Sequence, residues 1–216
     1  YARFDGQAFV ALNTALAEDG AVVAIQPGAA AESPVLIIHI ATPGSGPAAC
    51  HPRNLILAGR ASQASVVELY LGPAGATYLT NAVTEIVAAE GAVLDHYKIQ
   101  AEGDGAFHVA TIQAVQDRSS VLRSHNFSLG AALARNDVNS VLDGVGAECV
   151  LEGLYIAGGR QHVDNHTSLD HAKPNCASRE RYKGILGGQA AGVFNGKIIV
   201  RQDAQKTNAI QSNRNL

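Results

Sequence analysis

Gln161-His-Val-Asp-Asn-His-Thr-Ser-Leu-Asp-His-Ala-Lys-Pro-Asn-Cys-Ala-Ser178 opens the stretch that decides the fold. Tyr182-Lys-Gly-Ile-Leu186, Gly192-Val-Phe-Asn-Gly-Lys-Ile-Ile-Val200 and Ala204-Gln-Lys-Thr-Asn-Ala-Ile-Gln-Ser-Asn-Arg-Asn-Leu216 continue it. Asn, Gln and His recur through it at strand-like intervals. It is too polar for an ordinary buried sheet and too regular for a loop.

Upstream of it the same punctuation holds. From Gly20 onward, short runs rich in β-branched residues, such as Val22–Ile25, Val35–Ile40, Val66–Leu71, Tyr78–Val87 and Glu148–Ala157, are each bounded by Gly, Pro, Asn or Asp. The region 131–142 reads as two such runs, Ala131–Asn136 and Ser140–Leu142. A sandwich requires clean alternation and Asn-Gly hairpins, yet Asn-Gly occurs once, at Asn195-Gly196, inside an apolar run. Glu90-Gly-Ala-Val-Leu94, Val145-Gly-Ala-Glu-Cys-Val-Leu151 and Gly187-Gly-Gln-Ala-Ala-Gly-Val193 recur loosely instead. Their spacing predicts an all-β fold, a parallel solenoid with turns of roughly 20–30 residues. Identical polar residues stack into inward ladders in such a coil, and Asn139, Asn165 and Asn195 are the candidates.

One helix precedes the strands. Phe4, Ala8, Ala11, Leu12, Ala15 and Leu16 fall at helical intervals and predict an apolar face over about residues 7–17. Asp19-Gly20 is expected to end it, with Gly in the left-handed cap. The chain divides into a helical segment, 1–19, and a coil, 20–216. The Pro- and Gly-rich residues 42–52 read as a loop.

Composition narrows the function classes. Apolar residues make up 47% and charged residues only 16%, with net charge −3, no Met and no Trp. No basic cluster points to nucleic acid or an anionic membrane. The longest apolar run, Val35–Ala41, is broken by His39 and too short to span a bilayer. Walker and Rossmann signatures are missing. Cys50, Cys149 and Cys176 are too widely spaced for a disulfide framework or a zinc ribbon, and fit a reducing compartment. Cys50 and Cys149 read as small core residues, whereas Cys176, after Lys173-Pro174-Asn175, is expected near the surface. The chain starts mid-pattern at Tyr1 and reads as an excised piece.

The chemistry-bearing candidates lie in the opening stretch. His162, Asp164 and His166, at i, i+2 and i+4, share one strand face, with His171 and Cys176 beyond. Imidazole, carboxylate and thiolate could hold zinc or iron. A hydrogen-bonded polar ladder is the preferred reading of the same residues. Gly44-Ser45-Gly46 lacks the context of a nucleophile elbow. Asp137, Asp143, Glu148 and Glu152 read as solvated turns.

At Asp164-Asn-His-Thr167, His171, Pro174, Cys176, Tyr182-Lys-Gly184, Phe194-Asn-Gly-Lys-Ile198, Ala204-Gln-Lys-Thr207 and Gln211-Ser-Asn-Arg-Asn-Leu216 the sequence resembles the SufB/SufD family of the SUF iron–sulfur cluster assembly system. Phe9-Val-Ala-Leu-Asn13, Val67-Glu-Leu-Tyr70, Thr80-Asn-Ala-Val-Thr-Glu85 and His96-Tyr-Lys-Ile-Gln100 extend the resemblance, on its SufD branch, over nearly the whole chain. It implies a right-handed parallel β-helix and a scaffold subunit without turnover of its own, paired with SufB and acting with the SufC ATPase. Iron–sulfur cluster and reduced flavin then belong to the whole complex, with none expected on this piece. The location implied is the cytoplasm, or the plastid stroma for a plant or alga. The family pattern continues past Leu216 into further strands that pair with SufB, a Lys-Cys-x-His-Gly-Ala motif and a helical domain that docks on SufC. Stopping short of these is expected to leave a raw terminal edge and promote self-association. A β-helical polysaccharide lyase or hydrolase is the alternative, poorly supplied with aromatic platforms at 5% aromatics. A stand-alone metalloprotein built on His162, Asp164 and His166 is a third.

Overall fold

Every strand pairing in this protein is parallel, and that fixes its shape. The computed structural model describes all residues except 45 and 47. It opens with helix α1 (Ala8–Leu16), then β1 (Val22–Ile25), β2 (Val35–Ile40), β3 (Ala48–Cys50), β4 (Arg53–Ala58), β5 (Gln63–Leu71), β6 (Tyr78–Ala88), β7 (Val93–Ala101) and β8 (Phe107–Gln116). It continues with β9 (Val121–Ser128), β10 (Leu133–Leu142), β11 (Glu148–Ala157), β12 (His162–His171), β13 (Ala177–Leu186), β14 (Ala191–Val200) and β15 (Asn208–Asn215). One sheet runs β1-β4-β6-β8-β10-β12-β14 and the other β15-β13-β11-β9-β7-β5-β2. Each turn of backbone therefore gives one strand to each sheet, and seven turns stack into the predicted parallel solenoid.

The register measures the turn. Leu133 is paired with Phe107 on one side and His162 on the other, so successive turns advance 26 and 29 residues. The corner leading from the first sheet to the second repeats one backbone device. Gly28, Ala61, Gly91, Ser119, Gly146, Asn175 and Lys206 all take positive φ, between 53° and 72°. The N–H of each of the first six donates to the carbonyl just before its counterpart in the next turn, as in Ala61 to Glu90 (2.8 Å) and Gly91 to Arg118 (2.9 Å). The repeated Glu90-Gly91 and Val145-Gly146 phrases are this corner, two turns apart. Gly187-Gly188 belongs to the opposite corner, which is why its separation fits no whole number of turns.

At the five middle corners the next residue points inward and is small: Ser62, Ala92, Ser120, Ala147 and Cys176, all at most 1% exposed. Cys176 thus lies inside, contrary to the expectation of a surface thiol. The closed corner turns its Sγ to the carbonyls of Gly144 (3.2 Å) and Pro174 (3.7 Å). Apolar columns such as Ile56–Ile86–Ala114 and Leu94–Leu122–Cys149 fill the space between the sheets.

Two tyrosines interlock across adjacent strands. Gly153 is paired with Tyr182 and Tyr155 with Gly184, and each ring leans over the neighbouring glycine. A Cβ on Gly153 would stand 2.1 Å from Tyr182 Cε1, and one on Gly184 2.3 Å from Tyr155 Cε2. Gly153→Ala is therefore expected to cost about 2–3 kcal/mol by overpacking, read as a lowered midpoint in chemical denaturation. An unchanged midpoint would mean that the Tyr182 ring has room to retreat.

Helix α1 lies on the outer face of the first sheet. Two expectations about it are corrected. Its predicted apolar side is exposed, with Phe4 at 56%, Leu12 at 38% and Leu16 at 51%, while Val10 and Asn13 are buried. Hydrogen bonding decides the orientation: Asn13 Nδ2 donates to the carbonyls of Pro52 (3.0 Å) and Asn81 (2.9 Å), and Asn81 Nδ2 donates to Phe9 O (2.9 Å). Gly20 is not a left-handed cap either, since α1 already ends at Ala17 in extended geometry. Gly20 is needed for close approach, because a Cβ there would sit 1.8 Å from Arg53 O. The expected loop over residues 42–52 contains β3, which pairs with the start of β6. His51-Pro52 separates β3 from β4, as a residue without an N–H must do inside a ladder. Of the Gly44-Ser45-Gly46 stretch, Ser45 lies outside the described residues.

Candidate functional site

Strand parity sorts the residues singled out from the sequence. His162, Asp164 and His166 do share a face, the outer one of the first sheet, while Asn165, Thr167 and His171 point inward. His171 sits at an odd offset from the other two histidines, so the pleat turns it to the opposite side. On the outside, His166 Nε2 is 2.8 Å from Asp164 Oδ1, and Arg135 Nη1 donates to Asp164 Oδ2 (2.7 Å). Arg135 also grips Asp137 through two bonds of 3.0 Å. Inside, His171 Nε2 is 2.9 Å from Ser178 Oγ. The sheet thus separates His171 and Cys176 from the other three. Among the described residues no group of three or more His, Cys, Asp or Glu is placed to hold a metal ion.

The amide ladder exists with different members. Asn165 is inward, but its neighbour in register is Asn136, whose Nδ2 donates to Asn165 Oδ1 (3.0 Å). Asn139 and Asn195 face outward, because turns of 29 residues bring them opposite Ser168 and His166. Cys149 is buried as expected, and burial pushes its thiol up to about 12. Cys50 is instead exposed, because β3 lies at the open first turns, where no neighbouring turn covers it.

The most concentrated chemistry lies elsewhere, on the inward side of β5, β7 and β8. Glu68 is fully buried and collects hydrogen bonds on Oε2 from Tyr70 (2.6 Å), Thr84 (2.9 Å) and Asn54 (3.3 Å). His96 Nε2 approaches its Oε1 at 3.1 Å. Burial alone would raise the Glu68 carboxyl, but these donors and the His96 charge hold it well below the usual carboxylate range. One turn away, Lys98 is buried beneath the Tyr70 ring, 5.4 Å from its centroid, and Nζ donates to Asn136 Oδ1 (2.9 Å). Burial lowers Lys98 to about 8, while Glu102 and Glu68 pull the other way.

Glu102 forms the second acidic centre. It accepts from Thr80 Oγ1 (2.5 Å) and Gln100 Nε2 (3.2 Å), and His108 Nδ1 lies 2.7 Å from its Oε2. Burial opposes its ionisation, yet these partners keep it below its ordinary value. His108 is fully buried, and desolvation with the nearby Lys98 brings it down to about 4, so it is neutral at pH 7. Further along the coil, Glu180 is a contrast: it is 1% exposed, neither oxygen has a hydrogen-bond partner, and burial raises it to about 7.

This row reaches solvent at one end. A cavity of about 770 Å³ at the mouth of the coil is lined by His39, Cys50, His51, Tyr70, Thr80 and Glu102 among others. No Lys or Arg lines it, and Glu18 and Asp19 add to its acidic character. Charges here are matched to fixed partners and disfavour an anionic occupant. Sequence reading passed over this row because Glu68, Lys98 and His96 look like the polar face of alternating strands. The available signal was that Glu68 has the same parity as Val66 and Tyr70, both core-type residues.

Comparison with known proteins places this geometry. Residues 39–216, most of the coil, match the family described as SUF system FeS cluster assembly, SufBD core domain. The chain belongs to the SufBD core family. The SufBD family protein slr0076 of Synechocystis is 32% identical over 99% of this chain and 49% of its own length. The iron-sulfur cluster assembly protein SufD of Escherichia coli is 29% identical over 97% of this chain and 50% of its own. SufB of Bacillus subtilis is 25% identical over 79% of this chain. The chain spans about half the length of the curated relatives it matches. The SufBD motifs Val67-Glu-Leu-Tyr70 and His96-Tyr-Lys-Ile-Gln100 are the ones that carry Glu68, His96 and Lys98 into the interior.

Proposed function

We propose that this chain is a scaffold component of SUF iron–sulfur cluster assembly, which pairs with SufB and acts with the SufC ATPase and has no turnover of its own. The observation that carries the reading is the SufBD core match across the coil, together with likeness to SufD over 97% of the chain. A physical argument agrees with it. The interior acids and bases are engaged with one another, as suits stacking contacts, and not aimed as a set at a bound substrate. Cluster and reduced flavin are then cargo and cofactor of the assembled complex. A cytoplasmic or plastid-stromal location accords with this role. Among the described residues no helix is long and apolar enough to cross a membrane, and one relative is the chloroplastic Protein ABCI7 of Arabidopsis.

The test is co-expression of the tagged full-length protein that carries this sequence with SufB and SufC, followed by affinity and size-exclusion chromatography. Stoichiometric retention of SufB is expected. A folded chain that elutes free of SufB at micromolar concentrations would overturn the proposal.

A further inference from the structure

The outer face of the second sheet carries an unmatched positive stripe. Arg179, Arg181 and Lys183 occupy alternate positions on β13 and all point outward, so their Cα atoms are roughly 7 Å apart. Arg214 on β15 is the register partner of Lys183 and is also exposed. Several other surface cations face carboxylates: Arg60 and Arg118 share Glu90, Arg123 meets Asp95, and Arg201 meets Asp170. The cations without such a partner outside this face, Arg3, Arg160, Lys197 and Lys206, are scattered singly. Among the described residues the four cations of the stripe have no carboxylate partner. Glu152, the register neighbour of Arg181, is turned to His125 at 3.3 Å.

Apolar side chains bracket the stripe. Ile210 (54% exposed) is the register partner of Arg179, and Ile185 (45%) and Ile156 (44%) stand as a pair beyond Lys183. We infer that this face docks an extended acidic segment of a partner protein, with carboxylates at alternate positions along β13 and apolar side chains on the flanking isoleucines. Alternate residues of an extended chain repeat at the same spacing as the cations, so successive carboxylates meet successive cations. A nucleic acid fits less well. The stripe has no aromatic platform for bases, the isoleucines offer nothing to phosphates, and the chain as a whole carries a net charge of −3.

The test is fluorescence anisotropy with a labelled peptide that carries glutamate at three alternate positions and leucine at the next alternate position on either side, with serine between, at low and at physiological salt. The chain is expected to bind the peptide, more weakly as salt rises. Arg179→Glu/Arg181→Glu/Lys183→Glu should weaken binding at least about tenfold. The matching triple change to Gln should give an intermediate loss with an unaltered unfolding curve. Lys197→Glu, an exposed position on the other sheet, should leave binding within about twofold. Peptide binding by the triple Glu variant at wild-type strength overturns the inference. An equal loss from Lys197→Glu does so too, as does tighter binding of a single-stranded oligonucleotide of matched charge.

Discussion

Glu68→Gln is expected to lower the unfolding free energy by about 3–5 kcal/mol at pH 7, the range for removing one member of a buried charged cluster. The carboxylate accepts from Tyr70, Thr84 and Asn54 while His96 lies against its other oxygen. An amide in its place offers one acceptor and turns two N–H donors toward groups that are themselves donors. It also strips a balancing charge from Lys98. The effect has a sign in pH. Glu68 titrates in the folded chain well below its ordinary 4.5. Its contribution is therefore present above about pH 4.5 and is lost as the pH falls toward the depressed folded value. Urea unfolding followed by circular dichroism should show the full penalty at pH 7 and a much smaller one near pH 3. A penalty that is the same at both values would mean that the charge of Glu68 contributes nothing.

The same substitution at Glu180 is expected to act in the opposite direction. Glu180→Gln should stabilise the chain by about 3 kcal/mol at pH 8 and change little at pH 4. Here burial raises the carboxyl from 4.5 to about 7, with the nearby Thr167 hydroxyl pulling only weakly the other way and neither oxygen in a well-formed hydrogen bond. A raised acid favours the folded state fully below about pH 4.5, where both states are protonated. That advantage is lost as the pH climbs through 7, because the folded chain must then bury an unpartnered charge. Gln mimics the protonated form and removes the loss. Equal stability of variant and wild type at pH 8 would show that Glu180 finds a partner on ionising.

These two carboxylates sit on inward positions four turns apart in one sheet, and the local sequence does not say which of them finds donors. Glu68 lies between Val67 and Leu69 and Glu180 between Arg179 and Arg181, and only the surrounding turns decide whether donors are at hand. The strands were more legible. β1, β2 and β11 are bounded as their β-branched runs and turn residues suggest, since local chemistry and pairing agree there. β10 was divided because Asp137-Val-Asn139 reads as a turn. In the coil Asp137 is an outward strand residue held by Arg135, and the strand passes through unbroken. β3 was missed because three residues carry no period and a Gly/Pro-rich stretch precedes them. The stacking of His162, Asp164 and His166 on one face was legible from spacing alone. The inward placement of His171 was legible from parity, but that of Cys176 was not, because it depends on a corner that repeats at positive φ with Gly, Ala, Ser, Asn and Lys alike.

Family resemblance and backbone pairing make the same statement about the molecule: consecutive turns lie side by side in parallel register. Cysteine pairing across that register is the most direct measurement of it. Asn139 on β10 and Ser168 on β12 are register partners, and adjacent strands about 4.8 Å apart lie within disulfide range. In a background with exposed Cys50 changed to Ser, Asn139→Cys/Ser168→Cys should close to a disulfide on mild oxidation. Asn139→Cys/His162→Cys, displaced along the same strand by about 20 Å, should remain reduced. Closure of the second pair in preference to the first would contradict the stacked parallel coil.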